Sequence, residues 1–280
     1  MQDILFQISG YPEPTPPTAI EQAVRFAAVV GGKLTALAVH ADIRVPDNAL
    51  ANYLIGLNRL AVEEEARSRQ ACEQVLSDFA AAASAGGVLG DTLLKKAELF
   101  AIEDVVAVHA RTRDLCIVPV GSGFEGQRAI AEAVIFGSGR PVLLFRPGET
   151  GLATDGLKTV VLAWDGSRTS ARAMADALPL LKAAGQVRVL TVLGEKPEAR
   201  RGMGADAVRH LQTHGVAAVA DEVNADNRPI GTVLDAYNAA NGADLLVMGA
   251  YGRSRIREFV LGGATRHMID DPKTPLLMSH

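Results

Sequence analysis

Short, almost wholly apolar runs alternate along this chain with longer stretches whose apolar positions recur every three or four residues. In the second half the runs lie at about Lys158–Asp165, Gln186–Leu193, Val216–Val223, Asp244–Gly249 and Pro275–Ser279. Runs that are apolar on both faces fit strands of a parallel sheet covered on two sides, and the stretches between them fit crossover helices. Ser167 or Thr169 can cap one such helix, with Ala171, Met174, Ala175, Leu178 and Leu181 predicted on its inner face. Another is predicted over Ile230–Asn241, stopped by Gly242 in the left-handed conformation that ends helices.

The first half repeats this plan. ILFQISG (Ile4–Gly10) lies against VVLAWDG (Val160–Gly166), LTALAVHAD from Leu34 against VRVLTVLGE from Val187, DLCIVP from Asp114 against DLLVMG from Asp244, and RPVLLF against TPLLMS. Strand matches strand in the same order, so the chain reads as a duplicated α/β domain, residues 1–149 and 155–280, joined near RPGETGLATDGLK. The first copy carries a helical insertion from about Asp47 to Ala85 with the charged run Glu63-Glu64-Glu65-Ala66-Arg67, which reads as a solvated face that could serve a partner. Prolines at 12, 14, 16 and 17 replace the residues that start the matching helix of the second copy.

A net charge of −4 argues against a basic nucleic-acid surface or a polybasic membrane anchor. No apolar run approaches the ~20 residues needed to cross a bilayer, and MQDILFQIS lacks a basic leader and cleavage site. The expectation is a cytoplasmic protein. Cys72 and Cys116 fall in a helical pattern and in a strand, with neither disulfide nor metal spacing.

Candidate chemistry concentrates in Asp244–Thr265, where a strand runs into Gly249, Gly252 follows, and Gly262-Gly263 opens a helix. Such glycines let a ligand approach main-chain amides, and a helix start adds unpaired N–H groups and a positive dipole end suited to phosphate. The same glycines could simply end a strand and pack a helix. The spacing G-x2-G-x9-G is neither the Walker pattern nor the dinucleotide fingerprint. It resembles the ATP-binding signature of the universal stress proteins, in which Ser or Thr usually follows the last glycine; here Gly263 stands in that place, while Thr265 still matches. Nearly the whole chain resembles a tandem member of that family, with the specific motif only in the carboxyl half.

The resemblance implies two doubly wound, Rossmann-like domains of the adenine nucleotide alpha hydrolase-like type, each with strand order 3-2-1-4-5, paired through their last strands, Pro141–Phe145 and Pro275–Ser279. Ligands of open parallel sheets bind where the strand order reverses, between strands 1 and 4. By resemblance, Ala163, Trp164 and Asp165 would flank adenine and ribose, Val192 would offer backbone contacts to the base edge, and Met248 would pack nearby. Gly249, Gly252, Gly262, Gly263, Ala264 and Thr265 would surround ribose and phosphates. Arg253, with Arg255 and Arg257, could reach phosphate oxygens or belong to a solvated loop. Asp165 has a second reading as an ordinary Asp-Gly-Ser turn, and Trp164 could stack on the base or fill the crevice.

The implied function is a stress-response regulator binding ATP, with or without Mg, or another adenine nucleotide, and read by a protein partner of unknown identity. The chain would form an internal pseudo-dimer, with homodimerisation open. The first copy has lost the motif: Ser9 stands for the Asp, Pro119 and Ser122 for the first two glycines, and the loop is shorter, so it is expected not to bind ATP in the family manner. His210 and His214 are four apart on a helix, but no third ligand is nearby, so no metal site is expected. His267 is expected in a core or interface role, and Met278-Ser279-His280 to continue the last strand. With no activated nucleophile and no lysine by the crevice, no catalytic residue is assigned, and at most weak ATP hydrolysis is expected. The rival readings are a nucleotide-free interaction or chaperone-like scaffold, a slow ATPase, and a flavin-binding electron carrier.

Overall fold

The computed structural model describes residues 1–44, 57–121, 126–148, 151–194, 199–250 and 263–280. The apolar runs become ten strands. In the amino half these are β1 (Asp3–Ile8), β2 (Lys33–Ala41), β3 (Leu89–Ala97), β4 (Leu115–Pro119) and β5 (Val142–Phe145). In the carboxyl half they are β6 (Thr159–Ala163), β7 (Gln186–Leu193), β8 (Ala218–Asn224), β9 (Leu245–Gly249) and β10 (Leu276–Ser279). All join one sheet in the order β3-β2-β1-β4-β5-β10-β9-β6-β7-β8, so each half carries the order 3-2-1-4-5. Neighbours are parallel except β5 and β10, which run antiparallel with Leu276 opposite Leu144 and Met278 opposite Val142. Both seam strands start one residue later than expected, after Pro141 and Pro275.

Helices cover both faces. Helices α1 (Pro17–Val30), α2 (Leu57–Ala85), α5 (Arg168–Ala183) and α6 (Gly204–Thr213) pack on one face, around Ile4, Phe6, Val160 and Leu162. Helices α3 (Ile102–Ala110), α4 (Gln127–Gly137), α7 (Ile230–Asn241) and α8 (Gly263–Asp270) pack on the other, around Leu5, Cys116, Val161 and Leu246. Adjacent residues of one inner strand thus point into different cores, which is why most inner strands are nearly all apolar, whereas the edge strands β3 and β8 are mixed in sequence and largely exposed. On the first face the rings of Phe6 and Phe79 are 6.2 Å apart. Phe79 is fully buried, and truncating such a residue costs roughly 3–5 kcal/mol. Among the described residues, no helix is long and apolar enough to cross a membrane.

Capping follows local chemistry. The Ser167 side chain accepts a hydrogen bond from Ser170 N at 3.1 Å and starts α5, whereas α1 starts from Pro16 without a side-chain cap, Pro17 supplying the preset φ. Helix α7 ends as expected at Gly242, φ 57°. The inner face of α5 differs from the expected one. Thr169, Ser170, Ala173, Met174, Ala177, Leu180 and Leu181 are buried, while Ala171 and Ala175 are exposed. Alanines carry too little apolar surface to choose a face, and the capping bonds draw Thr169 and Ser170 inward. The inserted helix is α2, from Leu57; the expected part from Asp47 to 56 lies outside the described residues.

The duplication also repeats a device at the opposite end of the strands from the candidate site. Asp114 Oδ2 accepts Gln2 N at 2.7 Å and Asp3 N at 3.2 Å, and Asp244 Oδ2 accepts Lys158 N at 2.7 Å and Thr159 N at 2.9 Å. Each carboxylate ties the start of one strand to its neighbour. These bonds, chiefly that from Gln2 N, hold the Asp114 carboxyl below the usual carboxylate range.

Candidate functional site

Strand β6 has β7 on one side and β9 on the other, so the chain reverses its direction of growth between β6 and β9. A crevice of about 110 Å³ opens there at the carboxyl ends of the strands. From β6 come Ala163 and the two residues after it, Trp164 and Asp165; β7 gives Val192; β9 gives Met248 and Gly249; α8 gives Ala264 and Thr265. Residues chosen from four separate stretches of sequence therefore border one space. Gly263, the first residue of α8, does not line it. Gly252, Arg253, Arg255, Arg257 and Gly262 lie outside the described residues.

Each contributor has a local reason to be where it is. Asp165 Oδ1 accepts Ser167 N at 3.0 Å, so the turn reading of Asp-Gly-Ser holds while the same residue lines the crevice. Gly166 follows at φ 69°, the left-handed region that glycine enters most easily. At Gly249 the requirement is packing: a Cβ there would lie 2.4 Å from Thr169 C and 2.5 Å from Ser170 N, backbone atoms in the first turn of α5. The conservative explanation of a strand-ending glycine is right for Gly249. Close approach of α5 in turn puts Ser170 on the crevice wall. Trp164 is half-buried and does two things, lining the crevice and packing against the core on the α5 and α6 face. Its Nε1 is buried with no partner among the described residues.

Sequence reasoning missed the apolar wall made by Leu190, Ile230 and Leu234, and Ala199 at its margin. The signals were present: Leu190 precedes Val192 by one strand period, and Ile230 and Leu234 are one helical turn apart. Helix α7 is held against the sheet by a cluster behind this wall. Arg188 Nη1 donates to Asp221 Oδ2 at 2.6 Å, and the Tyr237 hydroxyl donates to the same oxygen. Burial first, and then the bond to Asp221, push the Tyr237 hydroxyl up to about 12, so it stays a donor throughout the neutral range.

The corresponding corner of the amino half is built from other residues. Gln7 takes the place of Ala163; it is 3% exposed, and its Oε1 has no partner among the described residues. Ser9, in the place of Asp165, donates its N–H to Thr15 Oγ1 at 2.8 Å. Pro119 ends β4 opposite Phe145, where Gly249 stands opposite Ser279 in the other half. Ser122 lies outside the described residues.

Elsewhere, the rings of His210 and His214 meet edge to face, 4.7 Å apart. No group of three His, Cys, Asp or Glu that could hold a metal ion occurs among the described residues. His280 continues past β10, with its ring 5.0 Å from that of Phe136 on α4 of the amino half.

Residues 156–280 match the family model described as the universal stress protein family. No curated protein matches the sequence. Among solved structures, a universal stress protein from Archaeoglobus fulgidus DSM 4304 is similar over 99% of this chain and 96% of its own, with a TM-score of 0.72 and 13% identity. A functionally unknown protein from Pseudomonas aeruginosa PAO1 is similar over 98% of this chain and 92% of its own, with a TM-score of 0.56 and 15% identity. At those identities the two structures speak for the fold. The carboxyl half is thus similar in sequence to the universal stress protein family, and over its full length the chain shares the two-unit fold of the Archaeoglobus fulgidus protein.

Proposed function

We propose that the carboxyl domain, residues 155–280, binds ATP or another adenine nucleotide in the crevice between β6 and β9. Occupancy would then be read by a protein partner as part of a cytoplasmic stress response. The observation that carries this reading is the convergence of Asp165 with Gly249, Ala264 and Thr265 on one space at the switch point of the sheet. The first turn of α8 brings helix N–H groups to the space, which suits an anion. Asp165 is the one carboxylate on the crevice wall among the described residues, so a Mg²⁺ ion arriving with the nucleotide would be held mainly by phosphate oxygens and water. In the amino domain, residues 1–149, Gln7 and Pro119 argue against the same use.

The rival is a scaffold of the same fold that takes no nucleotide. It draws support from the 110 Å³ of the crevice, small beside the roughly 300–1,000 Å³ of ordinary ligand pockets, and from Gly263. Trp164 is the only tryptophan of the chain and lines the crevice, so its fluorescence separates the two. Titration with ATP is expected to change it saturably, and denaturing the purified protein to release a nucleotide identifiable by mass spectrometry. No response and no released nucleotide would leave the scaffold reading standing. Weak ATP hydrolysis at most is expected, since no lysine lines the crevice among the described residues.

A further inference from the structure

We infer that His267 is a positioning residue for the crevice, acting through Asp235 to fix where the first turn of α8 sits; this rests on the nucleotide reading above. His267 Nε2 lies 2.8 Å from Asp235 Oδ2, joining α8 to α7. The ring can reach because residue 231 is glycine. A Cβ there would stand 2.3 Å from the imidazole Cδ2 and 2.6 Å from its Cγ, so the ring rests directly on the first turn of α7. Asp235 Oδ1 is buried with no partner among the described residues, which leaves the histidine as the anchor of that carboxylate.

The joint stands immediately behind the crevice wall. On α7, Gly231 and Asp235 form a stripe one turn long that receives His267, and the adjacent stripe of Ile230 and Leu234 lines the crevice. On α8, Ala264 and Thr265 line the crevice, and His267 follows Thr265 by two residues, on a different side of the helix. A shift of α8 along α7 would therefore move the Thr265 hydroxyl and the helix's leading amides relative to Asp165. Fixing reactive or binding groups through such supporting bonds is a common requirement of precise sites.

The amino half lacks the joint. Counting from Ile102 and Ile230, the first residues of α3 and α7, Gly231 and Asp235 correspond to Glu103 and Ala107. Counting back from Val142 and Leu276, the first residues of the seam strands, His267 corresponds to Ala133. There α3 and α4 meet through small residues, with a Cβ on Gly137 coming 3.5 Å from that of Ala107. The histidine–carboxylate tie thus occurs in the half that has the crevice residues and is replaced by alanines in the half that does not.

The full chain tests this with two readouts. ATP affinity by Trp164 fluorescence is expected to fall about 3- to 10-fold in His267→Ala and by a similar factor in Asp235→Ala, as for loss of one hydrogen bond. The double variant is expected to be no weaker than either single one, and His267→Gln, which keeps a donor for Asp235, to regain most of the affinity. Without ATP, amide hydrogen exchange at Ala264 and Thr265 is expected to quicken in His267→Ala. Unchanged affinity in His267→Ala, additive losses in the double variant, or unchanged exchange would each overturn the inference. If His267→Ala does not fold, His267→Gln against Asp235→Asn gives the same comparison. A wild-type chain that takes no ATP refutes the nucleotide reading instead, and the exchange arm still decides whether His267 fixes α8.

Discussion

The two halves of the molecule share everything that builds the sheet and differ at the rim where a ligand would enter. Both have the order 3-2-1-4-5 and both staple the first strand with an aspartate, Asp114 or Asp244. At the rim, α6 is short and begins beside Gly166, whereas α2 continues past the sheet. Its Ser68 and Glu65 accept the amides of Ala41 and Ile43, and it extends further to Leu57. Ala163, Asp165 and Gly249 of one half are Gln7, Ser9 and Pro119 of the other. The lesson is that the strand-start staples and the sheet order recur in both halves while the carboxyl rim differs, so one copy can keep the first set while changing the second.

The sharpest break in the comparison is steric. Gly10 and Gly166 are counterparts, but a Cβ on Gly10 would lie 2.5 Å from Cys72 N in the α2 backbone, while one on Gly166 would meet, among the described residues, only the flexible end of Met203 at 3.4 Å. Gly10→Ala is expected to cost about 2–3 kcal/mol or more, since the backbone must move. Gly166→Ala should cost roughly 1–2 kcal/mol, for the left-handed φ alone. Urea denaturation of the two variants measures the order, and equal costs would mean that α2 is not held against the strand end.

Next comes Asp165→Ala, expected to weaken ATP binding by about 10-fold or more, as for loss of a hydrogen bond to a charged group, while Ser9→Ala leaves it unchanged. Equal effects, read by Trp164 fluorescence, would erase the assignment of binding to one half. A smaller effect is expected from Asp114→Asn, which weakens the strand staple of the amino half. The folded carboxyl is depressed, so its contribution is present above the unfolded carboxylate value of about 3.9 and fades as pH falls through the folded one. As the group is largely exposed, the loss at pH 7 should be below about 1 kcal/mol. Stability of the variant should converge with that of wild type in acid.

The mildest change adds rather than removes. A Cβ on Gly263 meets nothing within 4 Å among the described residues, so Gly263→Ser places the hydroxyl usual in universal stress proteins without a clash with them. ATP affinity is expected to rise about 2- to 5-fold, the worth of one exposed hydrogen bond, and an unchanged affinity would place residue 263 away from the ligand.

The inner strands were legible because both their faces are covered, and the duplication was legible because strands recur in order; the edge strand β3, mixed in sequence and largely exposed, was not read. Strand order itself came only with the family resemblance, since parallel neighbours leave no turn between them to read. The face of helix α5 was right at Met174, Leu178 and Leu181 but displaced at Ala171 and Ala175, because alanines there weigh little against the capping bonds that bury Thr169 and Ser170. The crevice was foreseen through Asp165 and Gly249, yet the reason for Gly249 was not: it answers to the backbone of α5, a contact across 80 residues of sequence. The tie between Asp235 and His267 was invisible for the same cause: His267 was read only as a core or interface residue, and Asp235 stands out only once the two helices are packed.

Because β5 and β10 run antiparallel within one chain, the strands of the two halves point opposite ways. Their carboxyl rims therefore look out from opposite sides of the molecule. The start of α2 lies at one rim and the crevice at the other. Strand β10 touches both halves at the crevice end of the sheet: Ser279 stands opposite Gly249 and accepts the amide of Ala250, while Met278 stands opposite Val142, the start of β5.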